Sequence, residues 1–388
     1  NAKSGTVLSW NPTANSQVLS LTGNASAIYV SGYFTSISGT TRNYVAAIDA
    51  TTGTVLPCNP NPNSYVYSLA LGGDTLYVAG SFTSIGGSAR SYLAAVNATT
   101  GSALPWNPAP NSYLQKIFID GTTLYAGGYF SLIGGQNRSG LAAFTTTTGT
   151  VTSWNPGSAT GIIDMTVLNG IVYTGGSFTT VVGQSRNYLA AFDATTGALT
   201  SWKPNPNSNI NVLLPFSSGL FAGGNFNGVG TWVSRNYIAA LHATTGEPLA
   251  WTANASSSVQ ALELTETTLY VGGNFGAMNG QTRNYLAALD ATNGTLLPWN
   301  PNANNSVYAL AVRNGAVYTG GYFTTMGGQT RNKLAALDAT TGTLLPWDPN
   351  VNDAVFTLAI AGDTVYAGGF FTSVGGQTRN KIAAINAT

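Results

Sequence analysis

Residues 305–350 read NSVYALAVRNGAVYTGGYFTTMGGQTRNKLAALDATTGTLLPWDPN, and variants of this phrase fill the chain. Two apolar runs, VYALAV (307–312) and AVYTGGYF (316–323), are separated by Arg313, Asn314 and Gly315. Asn-Gly between such runs is a strong hairpin signal. A third run, KLAALDA (333–339), follows a glycine-rich loop, and a fourth, TLLPW (343–347), follows the turn TTG. No window repeats its apolar residues at helical spacing. Each unit is therefore expected to form four short antiparallel strands.

Two markers count the units. Tryptophan closes the phrase at Trp10, Trp106, Trp154, Trp202, Trp251, Trp299 and Trp347, with Cys58 in the vacant place. Successive members stand 48 residues apart, with a single 49 between Trp202 and Trp251. Arginine recurs after the glycine-rich loop at Arg42, Arg90, Arg138, Arg186, Arg235, Arg283, Arg331 and Arg379. Eight four-stranded units of this length describe an all-β, eight-bladed β-propeller, here one domain over residues 1–388. The last unit stops at NKIAAINAT (380–388), and SGTVLSW (4–10) resumes the phrase. Residues 6–10 are thus expected to add the outermost strand of the last blade, closing the ring and removing two open sheet edges. The first strand of each unit would be innermost and TLLPW outermost, where a proline that cannot donate to a ladder is tolerated. NPNANNS (300–306) would cross from one blade's rim to the axis of the next.

Composition narrows the function. Charged residues make up 7% of the chain, against about 25% in ordinary globular domains. With a net charge of +1 there is no broad field to attract nucleic acid or anionic lipid. No apolar run approaches the roughly 20 residues that span a bilayer, so direct membrane insertion is not expected. The opening NAKSG does not read as a signal peptide, and the chain reads as a mature soluble segment. The Asn/Thr-rich surface, the low charge and the single cysteine lean toward an extracellular or cell-surface location.

The phrase AALDATTGTLLPW is similar to the tryptophan-docking motif of quinoprotein dehydrogenase propellers, which are also eight-bladed. The whole repeat, with YTGGYFTTMGGQTRNKLAALDATTG, more closely resembles the delta-60 repeat family of bacterial, often secreted, β-propellers, over essentially the full length. That resemblance implies the fold and a secreted setting, and no particular reaction. The vicinal cysteines of the quinoprotein enzymes are absent, and no calcium-binding Glu, Asn and Asp set can be matched. No cofactor and no metal are expected.

The repeated residues read as architecture. Asp49, Asp193, Asp290 and Asp338 precede the TTG turn, but Asn97, Thr145, His242 and Asn386 hold the same place. Asx and Thr side chains all bond a turn backbone, whereas a metal ligand or general base does not tolerate such exchange. The tryptophans are expected to dock between blades. The arginine ring either ties each glycine-rich loop to backbone carbonyls or binds anions; its presence in every unit favours the first.

Function is expected where the repeats differ. The insertion NFNGVGTWVSRN (225–236) carries Trp232, the only tryptophan outside the docking positions. An exposed tryptophan stacks on a sugar or anchors a partner; otherwise it packs on the rim. At the start of the inner strand, Tyr65, Tyr67, Tyr113, Gln115, Gln260 and Tyr308 would line the mouth of the axial channel with rings and amides, a lectin-like surface. Plain packing differences between blades would explain the same variation. Catalytic residues are not expected: the one histidine, His242, lies on a turn, and no Ser/His/Asp or Cys/His arrangement can be argued. Scattered acids such as Asp120, Asp164, Glu263 and Asp353 leave a glycan-active enzyme as the least favoured reading. The expected function is a non-enzymatic binding or adhesion scaffold for a protein or glycan at a surface. A structural protomer of a surface assembly, with homo-assembly through the blade rims, is the alternative.

Overall fold

The computed structural model describes residues 8–157, 159, 161–230 and 233–387. Eight three-stranded antiparallel sheets follow one another, and each is joined to a two-stranded hairpin built from its glycine-rich loop. Blade 1 has strands Val18–Gly23, Ala27–Gly32 and Val45–Asp49. Blade 8 has Val355–Ala361, Thr364–Gly369 and Ile382–Asn386. First strands touch the first strands of both neighbouring blades all the way round, blade 8 to blade 1 included, so they surround the axis. Middle strands are buried on both faces, as in Ala27–Gly32, because each blade is covered by two neighbours. This is why they read as continuous apolar runs rather than alternating ones.

The fourth run is shorter than expected. In blade 7 it pairs through one bridge, Leu337 with Leu344, and through the Leu345 amide, which donates to the Ala336 carbonyl at 2.9 Å. The run leaves the sheet at that point to send Trp347 between blades. Ring closure repeats this pairing with the other end of the chain. The Leu8 amide donates to the Ala384 carbonyl at 3.3 Å, the equivalent bond one blade on. Arg379 Nη2 donates to the Leu8 carbonyl at 2.8 Å, and Tyr366 of blade 8 bonds the Ala50 carbonyl of blade 1 at 3.0 Å.

Each docking tryptophan donates its indole N–H to a main-chain carbonyl of the following blade. Trp10 reaches Asp49 at 2.7 Å, Trp154 reaches Asp193 at 2.8 Å and Trp299 reaches Asp338 at 2.9 Å. Trp202, Trp251 and Trp347 dock the same way on His242, Asp290 and Asn386. Trp299 sits on Gly342 of the TTG turn, whose φ is +74° and where a Cβ would come within 2.9 Å of the indole. Only glycine meets both demands. Trp106 departs from the pattern: it is half-buried and donates to Gly149 instead of the Thr145 carbonyl. Thr145 replaces the usual Asx there and spends its hydroxyl on Thr148 and Thr150. Cys58 is buried and its thiol lies 3.9 Å from the Asn97 carbonyl. Burial pushes that thiol up to about 11, so it stays protonated.

The turn acids are capping groups. Asp338 Oδ1 accepts from the amides of Thr340 at 3.0 Å and Thr341 at 2.7 Å, and from the Thr341 hydroxyl. Asn97 accepts the two equivalent amides, and His242 does so through Nδ1. The Thr341 amide, ahead of the other bonds, holds the Asp338 carboxyl below its ordinary value of 3.8, and Asp49 and Asp193 are lowered for the same reason. A depressed carboxyl contributes stability that is fully present above the unfolded value of about 3.9 and is lost as pH falls through the folded value. Asp338→Asn keeps both amide bonds and removes the titration. The variant is expected to match the parent in thermal midpoint at neutral pH and to lose less of it between about pH 4 and pH 2. Thermal melts across that range check it.

Candidate functional site at the mouth of the central channel

All eight first strands carry the same irregularity. Pairing with the second strand skips one residue, between Val66 and Ser68 in blade 2 and between Leu114 and Lys116 in blade 3, and likewise in every other blade. A bulge leaves its extra residue unpaired and re-aims the side chain. The skipped residues are Leu19, Tyr67, Gln115, Ile163, Asn211, Gln260, Tyr308 and Phe356, a set in which no two neighbouring blades are alike. The second strand must come very close here: a Cβ on Gly80 would lie 2.1 Å from the Tyr65 carbonyl, which accounts for the glycine before each SF, YF, NF or FF pair.

Four of these residues meet in one pocket. Leu19, Tyr67, Gln115 and Ile163, with Tyr113, line a cavity of about 490 Å³ on the inner side of blades 1–4. Its lining carries no charged side chain. Tyr67 stands edge-on to Tyr113 with centroids 6.2 Å apart, and Tyr113 packs on Tyr129 at 4.8 Å. The Ser81 hydroxyl donates to the Tyr67 hydroxyl at 2.8 Å and so fixes that ring. Burial, then the neighbouring phenols of Tyr129 and Tyr67, push the Tyr113 hydroxyl above its ordinary value, so it remains a neutral donor and acceptor. Gln115 Oε1 is shielded from solvent and meets no hydrogen-bond donor among the described residues. Beneath, Lys116 pairs with Asp164 at 2.9 Å, and Asp164 also accepts the Leu213 amide at 2.9 Å. This ties the inner strands of blades 3, 4 and 5.

The other expected site residues are placed elsewhere. Tyr65 is 45% exposed and packs outward on Tyr33 at 4.6 Å and Tyr44 at 5.6 Å. Gln260 donates to Ser258, and Tyr308 joins Tyr322 and Phe356 at 5.7 Å each in a second aromatic arc, continued by Phe370. Trp232 lies outside the described residues. Tyr33, Tyr129, Tyr322 and Phe370 were missed in the sequence reading, although one signal marks them: they hold the variable place before the repeated phenylalanine, where blades 2 and 4 have serine.

The arginines bond main-chain carbonyls of their own loops and outer runs. In blades 1–7 one guanidinium nitrogen donates to the carbonyl 14 residues on, as in Arg42 to Leu56 at 2.9 Å and Arg235 to Leu249 at 3.1 Å, and in blade 8 Arg379 reaches Leu8 in the equivalent place. These carbonyls belong to the fourth run, so the loop is tied to the outer edge of its own blade. On the same face the crossing segment clamps the loop: Asn63 Oδ1 accepts the amides of Thr83 and Ser84. Among the described residues no three or more His, Cys, Asp or Glu side chains gather as a metal site, and no helix is long and apolar enough to cross a membrane.

Comparison with known proteins places this geometry. A protein-family profile described as outer membrane protein assembly factor BamB matches residues 126–343 and 185–387. No curated protein matches the chain. Among solved structures, the computationally designed Ika8 protein aligns with a TM-score of 0.67 at 15% identity, covering 96% of each chain. BamB from Moraxella catarrhalis aligns at 0.54 and 15% identity, over 99% of this chain and 96% of its own. The WD40 β-propeller domain of Doa1 aligns at 0.53 and 10% identity, over 99% and 97%. At these identities the structural likenesses speak to the fold alone.

Proposed function

We propose, starting from the premise that the chain belongs to the family described as outer membrane protein assembly factor BamB, that it is a non-enzymatic binding scaffold working outside the cell or at its surface. Its ligand site is the pocket of Tyr67, Tyr113 and Gln115, and the ligand it takes there is a neutral glycan. The observation that carries this reading is the pocket's chemistry: apolar and aromatic walls, neutral phenols and no charge. Sugars offer CH faces to rings and hydroxyl donors to amides, and rings with a polar tip serve both. The likeness of the repeat to delta-60 propellers adds the expectation of secretion.

A screen of the full chain against immobilised neutral glycans tests it, with a Tyr67→Ala/Gln115→Ala variant in parallel. Selective binding is expected, weakened about tenfold or more in the variant by loss of a ring contact and a hydrogen bond, with the thermal midpoint unchanged. Equal binding by both proteins removes the pocket from the account. A protein partner is the second reading, favoured by the exposed Tyr65 beside Tyr33 and Tyr44 and by the assembly role in the family description. Tyr65→Ala discriminates: it would weaken a protein contact on the loop face and leave glycan binding intact.

A further inference from the structure

The face opposite the channel mouth carries a break in the repeat. In seven blades a second-strand tyrosine sends its hydroxyl to a main-chain carbonyl of the next blade. Tyr29 reaches Ala98 at 3.0 Å, Tyr173 reaches Ala243 at 2.7 Å and Tyr270 reaches Ala339 at 2.6 Å; Tyr77, Tyr125, Tyr318 and Tyr366 do the same. Each hydroxyl bars the cleft between two blades. Blade 5 has Phe221 in this place, and no donor of the described residues reaches the Ala291 carbonyl, the acceptor that a tyrosine would have met.

The cleft is open at that junction. Its volume is about 460 Å³, within the range of small-molecule sites, against about 270 Å³ between blades 1 and 2, where Tyr29 keeps its bridge. One wall is apolar, formed by Phe216, Leu249, Trp251 and Leu264. The polar rim is rich in acceptors, beside the hydroxyls of Ser217 and Ser218. The Ala291 carbonyl is unpaired, Glu266 brings a carboxylate, the Thr265 hydroxyl donates inward to the Thr268 carbonyl at 3.1 Å, and the Thr292 hydroxyl donates to Asp290. A site with a flat apolar wall and acceptors at its polar end is complementary to a ring carrying a cationic donor, and hostile to an anion.

We propose that this cleft between blades 5 and 6 is a binding site for a small aromatic amine, whose ammonium takes the place of the missing tyrosine hydroxyl on the Ala291 carbonyl and pairs with Glu266. The site is independent of the channel mouth, and either can fail without the other.

Phenethylamine titrated into the full chain, followed by calorimetry and ligand-observed NMR, tests it. Phenylacetate, with the same ring and the opposite charge, is the comparison. Phenethylamine is expected to bind in the millimolar range and phenylacetate not measurably. Phe221→Tyr restores the bar across the cleft; it is expected to weaken phenethylamine about tenfold or more while leaving the circular dichroism unchanged. Glu266→Gln, on the exposed turn, is expected to weaken it several-fold. No binding by the wild-type chain, equal binding of amine and acid, or an unchanged affinity in Phe221→Tyr each overturns the proposal.

Discussion

Trp299→Ala is expected to lower the stability of the ring by about 3–5 kcal/mol, the usual cost of emptying a large aromatic from a core. Trp299 is 2% exposed, lies edge-on to Tyr270 with centroids 5.2 Å apart, and donates to the Asp338 carbonyl. Removing it deletes contacts with two blades and leaves that carbonyl buried without its donor. Urea denaturation followed by far-ultraviolet circular dichroism reads the loss. Trp106→Ala is the internal comparison: this indole is half-buried and docks off register, so its removal is expected to cost clearly less. Equal losses at the two positions would contradict the docking account.

Deleting residues 1–10 is expected to have a second large effect, through the edge it exposes. The deletion removes the Leu8–Ala384 and Arg379–Leu8 bonds and the Trp10 dock on Asp49. Blade 8 then ends on an unpaired third strand, a template for association with another chain. A lower thermal midpoint and association that grows with protein concentration are expected, measured by light scattering during a melt. A synthetic peptide spanning residues 1–16 should suppress that association by adding the missing strand. A shortened chain that stays monomeric with an unchanged midpoint would show that the ring does not depend on this closure.

The fold was legible in the sequence because its devices repeat. The 48-residue spacing of the tryptophans, the Asn-Gly hairpins and the split phrase at the two termini each have a local chemical signature. The brevity of the fourth run was not legible, since LLPW supplies strand-like residues and only the tryptophan's path into the next blade ends the pairing. The bulge was hidden for a different reason. It is a register skip in the backbone, and Leu19, Tyr67, Gln115 and Ile163 have no side-chain property in common that would announce it. Variation at those positions and just before them was visible, and it singled out Tyr65, Tyr67, Tyr113, Gln115, Gln260 and Tyr308 alike, of which Tyr67, Tyr113 and Gln115 line one pocket. Position along the strand did not separate them from Tyr65, which turns outward to Tyr33 and Tyr44. Phe221 shows the opposite case: one missing oxygen in an otherwise faithful repeat, significant only once its seven counterparts are seen to span the blade junctions.

The most direct test of a channel-mouth binding site is an NMR titration of the full chain carrying 13C-labelled tyrosine rings with a panel of neutral oligosaccharides. The account predicts that Tyr67 and Tyr113 shift with increasing sugar, while the junction tyrosines Tyr77 and Tyr173, spent on bonds between blades, stay in place. Shifts confined to other tyrosines, or none with any sugar in the panel, would contradict it.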